Sequence, residues 1–173
     1  MQDLFRNQYL KIKLLQKKQG LLLNITDFYD ENLLLNKLAK KLQEEQVGFV
    51  LLSKNKKFSD REFFNLANKV KLLIKEFDAT FIIESRADLA SILEADAFVF
   101  SNSDLEFSLI KEFLPQDILL GYSTNNSQQI PENIDFLIVN EQEKEYYKNF
   151  HIPTLYILDI PMKEDFFSEL LVL

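Results

Sequence analysis

A chain of 173 residues with 47% apolar side chains and 16 Phe is long enough for one domain with a substantial core, and 3 Gly and 4 Pro are too few for a loop-rich or all-β protein. Its 27 acidic against 20 basic residues give a formal charge of -7, which speaks against a general binder of nucleic-acid backbone. With no Cys and one His, disulfides, thiolate metal sites and a Cys nucleophile are excluded, and zinc hydrolysis or a Ser/His triad has almost no material.

Residues 1–19 read as an N-terminal helix, with Leu4, Phe5, Tyr9, Ile12, Leu14 and Leu15 at loosely helical spacing and Gly20 as the stop. Charges interrupt those apolar positions, so the segment is expected to be neither signal peptide nor anchor. No later run approaches the roughly 18 to 20 apolar residues of a spanning helix. The expectation is a cytoplasmic protein with no membrane partner, its lack of Cys fitting a reducing compartment.

Leu21 to Asp27 is the first strand candidate, and Asn32 to Gln46 is an amphipathic helix with Leu34, Leu35, Leu38 and Leu42 on one side. Phe49 to Ser53 is the second strand, tipped by Lys54 to Lys57. Ser59 with Glu62 predicts a capping box that opens a helix whose core stripe includes Phe63, Leu66, Ala67, Val70 and Ile74. From Phe81 to Asp104 an apolar run, a polar tip, a short helical segment, a second apolar run and a second polar tip follow without spare residues, a βαβ pattern. Helical spacing then runs from Leu105 to Pro115, followed by strands over Ile118 to Tyr122, Asp135 to Val139 and Thr154 to Ile160. A short helix over Glu143 to Phe150 separates the last two, and the tail from Lys163 to Leu173 reads as one last helix, with a remnant of strand at its end as the variant.

Seven strands alternating with helical or connecting segments predict a single α/β domain over residues 1–173, a TIM-type (β/α) barrel with its eighth βα unit short or missing. A flavodoxin-like open sheet is the alternative, disfavoured by the lack of a Gly-rich first turn. In either fold, ligands belong at the carboxyl ends of the strands.

The wording of these tips resembles the thiamine phosphate synthase / TenI family of (β/α)8 barrels. Ile25-Thr26-Asp27 matches the end of the family's first strand, and Ser59 to Glu62 matches its Ser-Asp-Arg-Glu helix start. Counting back from that anchor places Lys54 and Lys56 at the cationic positions of a QxRxK tip. The central motif, similar to IINDRxDLA followed by ADGVHLGQxD, lies on Ile82 to Asp104 without a gap. Ile82, Ile83, Arg86, Asp88, Leu89, Ala90, Ala95, Asp96 and Asp104 match it, while Glu84 replaces Asn, Ser85 replaces a metal-binding Asp and Ser101 replaces Gly. Gly121 to Thr124 resembles the start of a GxSxH motif with Asn125 in place of His. The Gly-rich phosphate loops of the second half are not recognisable.

The resemblance implies a protein of thiamine biosynthesis that joins hydroxymethylpyrimidine diphosphate to thiazole phosphate, a transferase releasing pyrophosphate with Mg²⁺ as cofactor. It implies phosphate or substrate contacts from Lys54, Lys56, Glu84, Arg86 and Ser123, and a metal ligand at Asp104, with Ser85 at the lost ligand position. Lys54 and Lys56 alternate along a strand end and so face the same way, as two cations gripping a diphosphate would, though KNKK is also an ordinary solvated turn. One carboxylate at a helix start is by default an N-cap. Asn125 cannot do acid-base work at neutral pH, which argues against thiazole tautomerase activity. His151 is expected to be structural. A non-catalytic phosphate-binding or scaffold barrel is the rival reading, and a third is a subunit whose Phe63-Phe64 or Phe166-Phe167 pair seats a partner that completes the barrel; a homo-oligomer is a further expectation.

Overall fold

The computed structural model describes residues 19–23, 31–44, 47–53, 58–101, 107–124, 129–147, 149–150, 152–157 and 167–172. Its strands are β1 (Gln19–Leu23), β2 (Phe49–Ser53), β3 (Thr80–Glu84), β4 (Ala97–Ser101), β5 (Leu119–Ser123), β6 (Phe136–Asn140), β7 (Thr154–Ile157) and β8 (Phe167–Val172). They close into a barrel in chain order. The expected TIM-type barrel is therefore the observed fold. From β1 to β7 every neighbour is parallel.

The eighth strand departs from the expectation. The tail was expected to be a helix with at most a remnant of strand at its end, but Phe167–Val172 is a six-residue strand, antiparallel both to β7 and to β1. Chain length supplies the reason. A parallel return needs a crossover of about a dozen residues or more, and the connection 158–166 is shorter than that. An antiparallel strand can still pair with both open edges. The first strand also differs, since Gln19 and Gly20 lie inside β1 and Gly20 is no helix stop.

The helices are α1 (Glu31–Glu44), α2 (Asp60–Glu76), α3 (Ala87–Ile92), α4 (Phe107–Phe113) and α5 (Lys144–Tyr147). A single 3₁₀ turn, Glu141–Glu143, replaces the start of the helix expected from Glu143. The predicted capping box opens α2. The Ser59 hydroxyl accepts from the Glu62 N–H, while the Glu62 carboxylate accepts from the Ser59 N–H at 2.9 Å. The Ser59 hydroxyl also donates to the Glu62 carboxylate at 2.6 Å, and that bond first, then the one from the Ser59 N–H, holds the Glu62 carboxyl below its ordinary pKa.

Two helices end the same way despite the shortage of Gly. After α2, Asp78 takes φ 55°. Its N–H reaches Lys75 O, and Ala79 N–H reaches Ile74 O. After α3, Glu94 takes φ 50°. Its N–H reaches Ser91 O, and Ala95 N–H reaches Ala90 O. Both are Schellman closures with an acidic residue where Gly is usual.

Strand alternation divides the core in two. Phe49, Leu51, Ile82, Ala97, Val99, Leu119, Phe136, Ile138 and Leu155 fill the barrel interior. The intervening strand residues, such as Val50, Leu52, Phe81, Ile83, Phe98 and Phe100, join helix residues Leu34, Phe63, Leu66 and Val70 in an outer layer. Phe63 is fully buried there, and Phe64 is partly buried and packs against this layer. Phe166 lies outside the described residues.

Candidate functional site

The period of two that defines the interior also fixes which tip residues face the barrel axis. Counting on from Leu51, Ile82, Val99, Leu119 and Ile138 places Ser53, Glu84, Ser101, Ser123 and Asn140 at the carboxyl-end mouth, all on the interior face. Ser53 is in register with Glu84, and Ser101 with Ser123. The two serines on β4 and β5 are buried, whereas Glu84 and Asn140 are half-buried. The mouth is thus a ring of hydroxyl and carboxamide groups with a carboxylate on the β3 side.

Of the residues expected to form the site, Glu84 and Ser123 share this interior ring. Ser85 does not. It sits just past β3 with φ 61°, exposed, and its N–H donates to Val99 O at 2.8 Å. A non-Gly residue in the left-handed region costs of order 1 kcal/mol and needs support from its surroundings. The bond to β4 is one such support.

Arg86 is held by two acids. Its Nε and Nη2 donate to the Asp88 carboxylate at 2.9 and 2.7 Å, and its Nη1 and Nη2 donate to Asp60. The bonds from Asp88, and then from Asp60, push the guanidinium pKa further up, and the same contact holds the Asp88 carboxyl below its ordinary value. Asp60 opens α2 and Asp88 lies in the first turn of α3. Arg86, just past β3, therefore ties the start of α2 to the start of α3. Lys54, Lys56 and Asp104 lie outside the described residues, as do Thr26, Asp27, Asn125 and His151.

Behind β5 is a group the sequence did not single out. Thr124 is fully buried. Its N–H donates to Ile138 O at 3.1 Å, and its hydroxyl donates to Glu143 at 3.1 Å. Tyr147 also hydrogen-bonds Thr124, and burial, then the Glu143 charge, pushes the phenol pKa up. The cluster anchors the β5 tip, and with it Ser123, to the segment after β6. Thr124 next to Ser123 was the visible signal, but its partners come from a segment distant in sequence.

Gly121 faces the interior one pleat below Ser123. A Cβ built there would come within 2.4 Å of the Phe136 ring. This glycine makes room for an aromatic plug, which is a packing role and leaves no cradle for phosphate. On metals, no group of three or more His, Cys, Asp or Glu among the described residues could hold an ion. Glu84 alone is less oxygen charge than a hard dication wants, so the described residues do not amount to a Mg²⁺ site. Among the described residues, no helix is long and apolar enough to cross a membrane.

A family model described as thiamine monophosphate synthase matches residues 22–137. The chain is 31% identical over 98 residues to the thiamine-phosphate synthase of Clostridium perfringens (strain 13 / Type A), a match spanning 54% of this chain and 46% of that protein. It is 35% identical over 83 residues to the thiamine-phosphate synthase of Desulfitobacterium hafniense (strain DSM 10664 / DCB-2), spanning 47% and 40%. The chain thus spans about half or less of the length of these curated relatives. The solved thiamine phosphate pyrophosphorylase from Pyrococcus furiosus superposes with a TM-score of 0.60 at 18% identity, over 73% of this chain and 69% of that one, a likeness of fold.

Proposed function

Since the chain belongs to the thiamine monophosphate synthase family, we propose that it works in thiamine biosynthesis as a synthase-type barrel, joining a pyrimidine diphosphate to thiazole phosphate with release of pyrophosphate. The observation that carries this reading is the interior ring at the carboxyl end, where Ser53, Glu84, Ser101, Ser123 and Asn140 converge on one mouth. The family match runs over the strands that supply most of that ring. In this reading Ser123 hydrogen-bonds a phosphate oxygen and Lys54 and Lys56 meet the diphosphate. The Arg86 tie fixes the β3 tip so that Glu84 stays turned to the axis. Mg²⁺ would neutralise the departing pyrophosphate, with Asp104 as its ligand.

The test is direct. Purified protein with both substrates and Mg²⁺ is expected to form thiamine phosphate, detected by chromatography, more slowly than an authentic synthase. No product under conditions where that enzyme works would remove the synthase reading. A second reading, a ligand-binding barrel without turnover, is favoured by one specific feature. Glu84 and Ser85 stand where the resemblance puts an Asn-Asp pair, and Ser85 is exposed in the left-handed region. Binding of thiamine phosphate without turnover would select it.

A further inference from the structure

We propose that the outer face of α2, α3 and α4 pairs with the same face of a second copy of this chain about a two-fold axis. This face lies on the flank of the barrel, away from the mouth, and its pairing does not depend on the synthase reading.

The helices of such a barrel bury one side against the strands and should turn polar residues to water. On this flank they turn out large apolar ones as well. Leu72 of α2 is 59% exposed, Ile92 of α3 66% and Phe113 of α4 60%. Leu109, also exposed, stands one turn before Phe113 on the same side of α4. α3 packs on α4, and Lys71 of α2 bridges at 3.2 Å to Glu94 just past α3. Leu72 adjoins that bridge on one side and Ile92 lies two residues from it on the other, so the apolar side chains span three neighbouring helices. Single exposed apolar residues are ordinary, whereas a group of this kind marks a contact surface.

Charge decides what covers it. The strands follow one another around the barrel in chain order. Residues 1–76 hold 15 of the 20 Lys and Arg, while residues 77–173 hold 18 of the 27 Asp and Glu, so a basic and an acidic half of the sequence meet between α2 and α3. On the face itself, Lys75, one turn on from Lys71, stands at the α2 edge, and Glu112, beside Phe113, at the α4 edge. Both are exposed, and neither has an ion-pair partner among the described residues. Lys111 lies two residues from both Leu109 and Phe113, on the opposite side of α4.

An acidic partner would be repelled at the α4 edge and a basic one at the α2 edge. A second copy suits both. A two-fold axis running past α3, parallel to the barrel, lays α2 of each copy against α4 of the other, so that Lys75 meets Glu112 of the partner subunit and Leu72 meets the partner's Phe113. Such an interface is isologous and closes at two subunits. With a net charge of -7 on each chain the copies repel in general, so only a contact that matches opposite charges can hold them.

Sedimentation equilibrium of the full chain tests the pairing, at up to about 100 μM, where an interface of micromolar Kd is nearly saturated. Twice the mass of one chain is expected. Lys75→Glu and Glu112→Lys are each expected to weaken the dimer roughly tenfold, and the double variant, which exchanges the two charges, to restore it. Ile92→Asp is expected to leave monomer alone. Should that variant not fold, as its far-ultraviolet circular dichroism would show, the charge variants carry the test by themselves. A monomer at every concentration overturns the inference. So does a dimer that Lys75→Glu and Ile92→Asp leave unchanged, a double variant no tighter than the single ones, or an assembly that keeps growing beyond two subunits.

Discussion

The two ends of the barrel differ in what their polar residues do. At the amino end, Asp96 and Asp135 repeat one device. The Asp96 carboxylate accepts from Phe81 N–H at 2.9 Å, and its own N–H returns to Phe81 O. The Asp135 carboxylate accepts from Leu120 N–H at 2.9 Å, and its N–H returns to Leu120 O. Each acid locks the start of one strand to its neighbour, and each satisfies a strand-edge donor that would otherwise be buried without a partner. At the carboxyl end Ser53, Glu84, Ser101, Ser123 and Asn140 instead line the mouth from the interior face. Of the residues that match the family's central motif, Ala95 and Asp96 sit at the amino end and Arg86 and Asp88 just past the β3 tip, while the substitutions Glu84, Ser85 and Ser101 lie at the mouth. The scaffold's own chemistry is intact, and the departures fall where a ligand would be.

If that division is real, substitutions inside or below the barrel must cost stability and those at the mouth must cost little. The largest loss is expected for Gly121→Ala, whose methyl group would need the space of the Phe136 ring. Overpacking of this kind costs roughly 1–3 kcal/mol. Pairing it with Phe136→Leu should recover part of the loss in urea melts; additive losses would show that Gly121 is there for another reason. Next come Asp96→Ala and Asp135→Ala, each leaving a strand N–H without its acceptor at a cost of about 1–3 kcal/mol. The two should be equal within error and should leave ligand affinity alone. A ligand effect from either would erase the contrast between the ends.

Much of this was legible in advance, for identifiable reasons. Thr80–Glu84 and Ala97–Ser101 are buried on both faces, so they read as uninterrupted apolar runs of strand length. The cap at Ser59 was readable because its partner Glu62 lies three residues on. The tail was misread because a short apolar run such as that in Phe167–Val172 carries no periodicity that separates helix from strand. The open edges of β1 and β7 decided it, and those exist only in three dimensions. In the same way, the pairing of Arg86 across two helix starts was not legible from its own motif. Asp60, which takes half of its donors, lies 26 residues away in sequence.

The smallest expected effect concerns that tie, and it has a sign that pH can expose. The Asp88 carboxyl is held below its ordinary value of 3.8, first by its hydrogen bond to Arg86. A depressed folded pKa means the carboxylate is easier to keep ionised folded than unfolded, so its contribution is present above about pH 4 and is lost as pH falls through the folded value. The side chain is half exposed, which limits the contribution to at most about 1 kcal/mol. Asp88→Asn should therefore be slightly less stable than the wild type at neutral pH, with the difference shrinking on acidification below about pH 4. A deficit as large as that of Asp96→Ala, or one that does not change with pH, would mean that the β3 tip carries the fold as the amino end does. The mouth would then owe its shape to packing and not to charges that Arg86 holds in place.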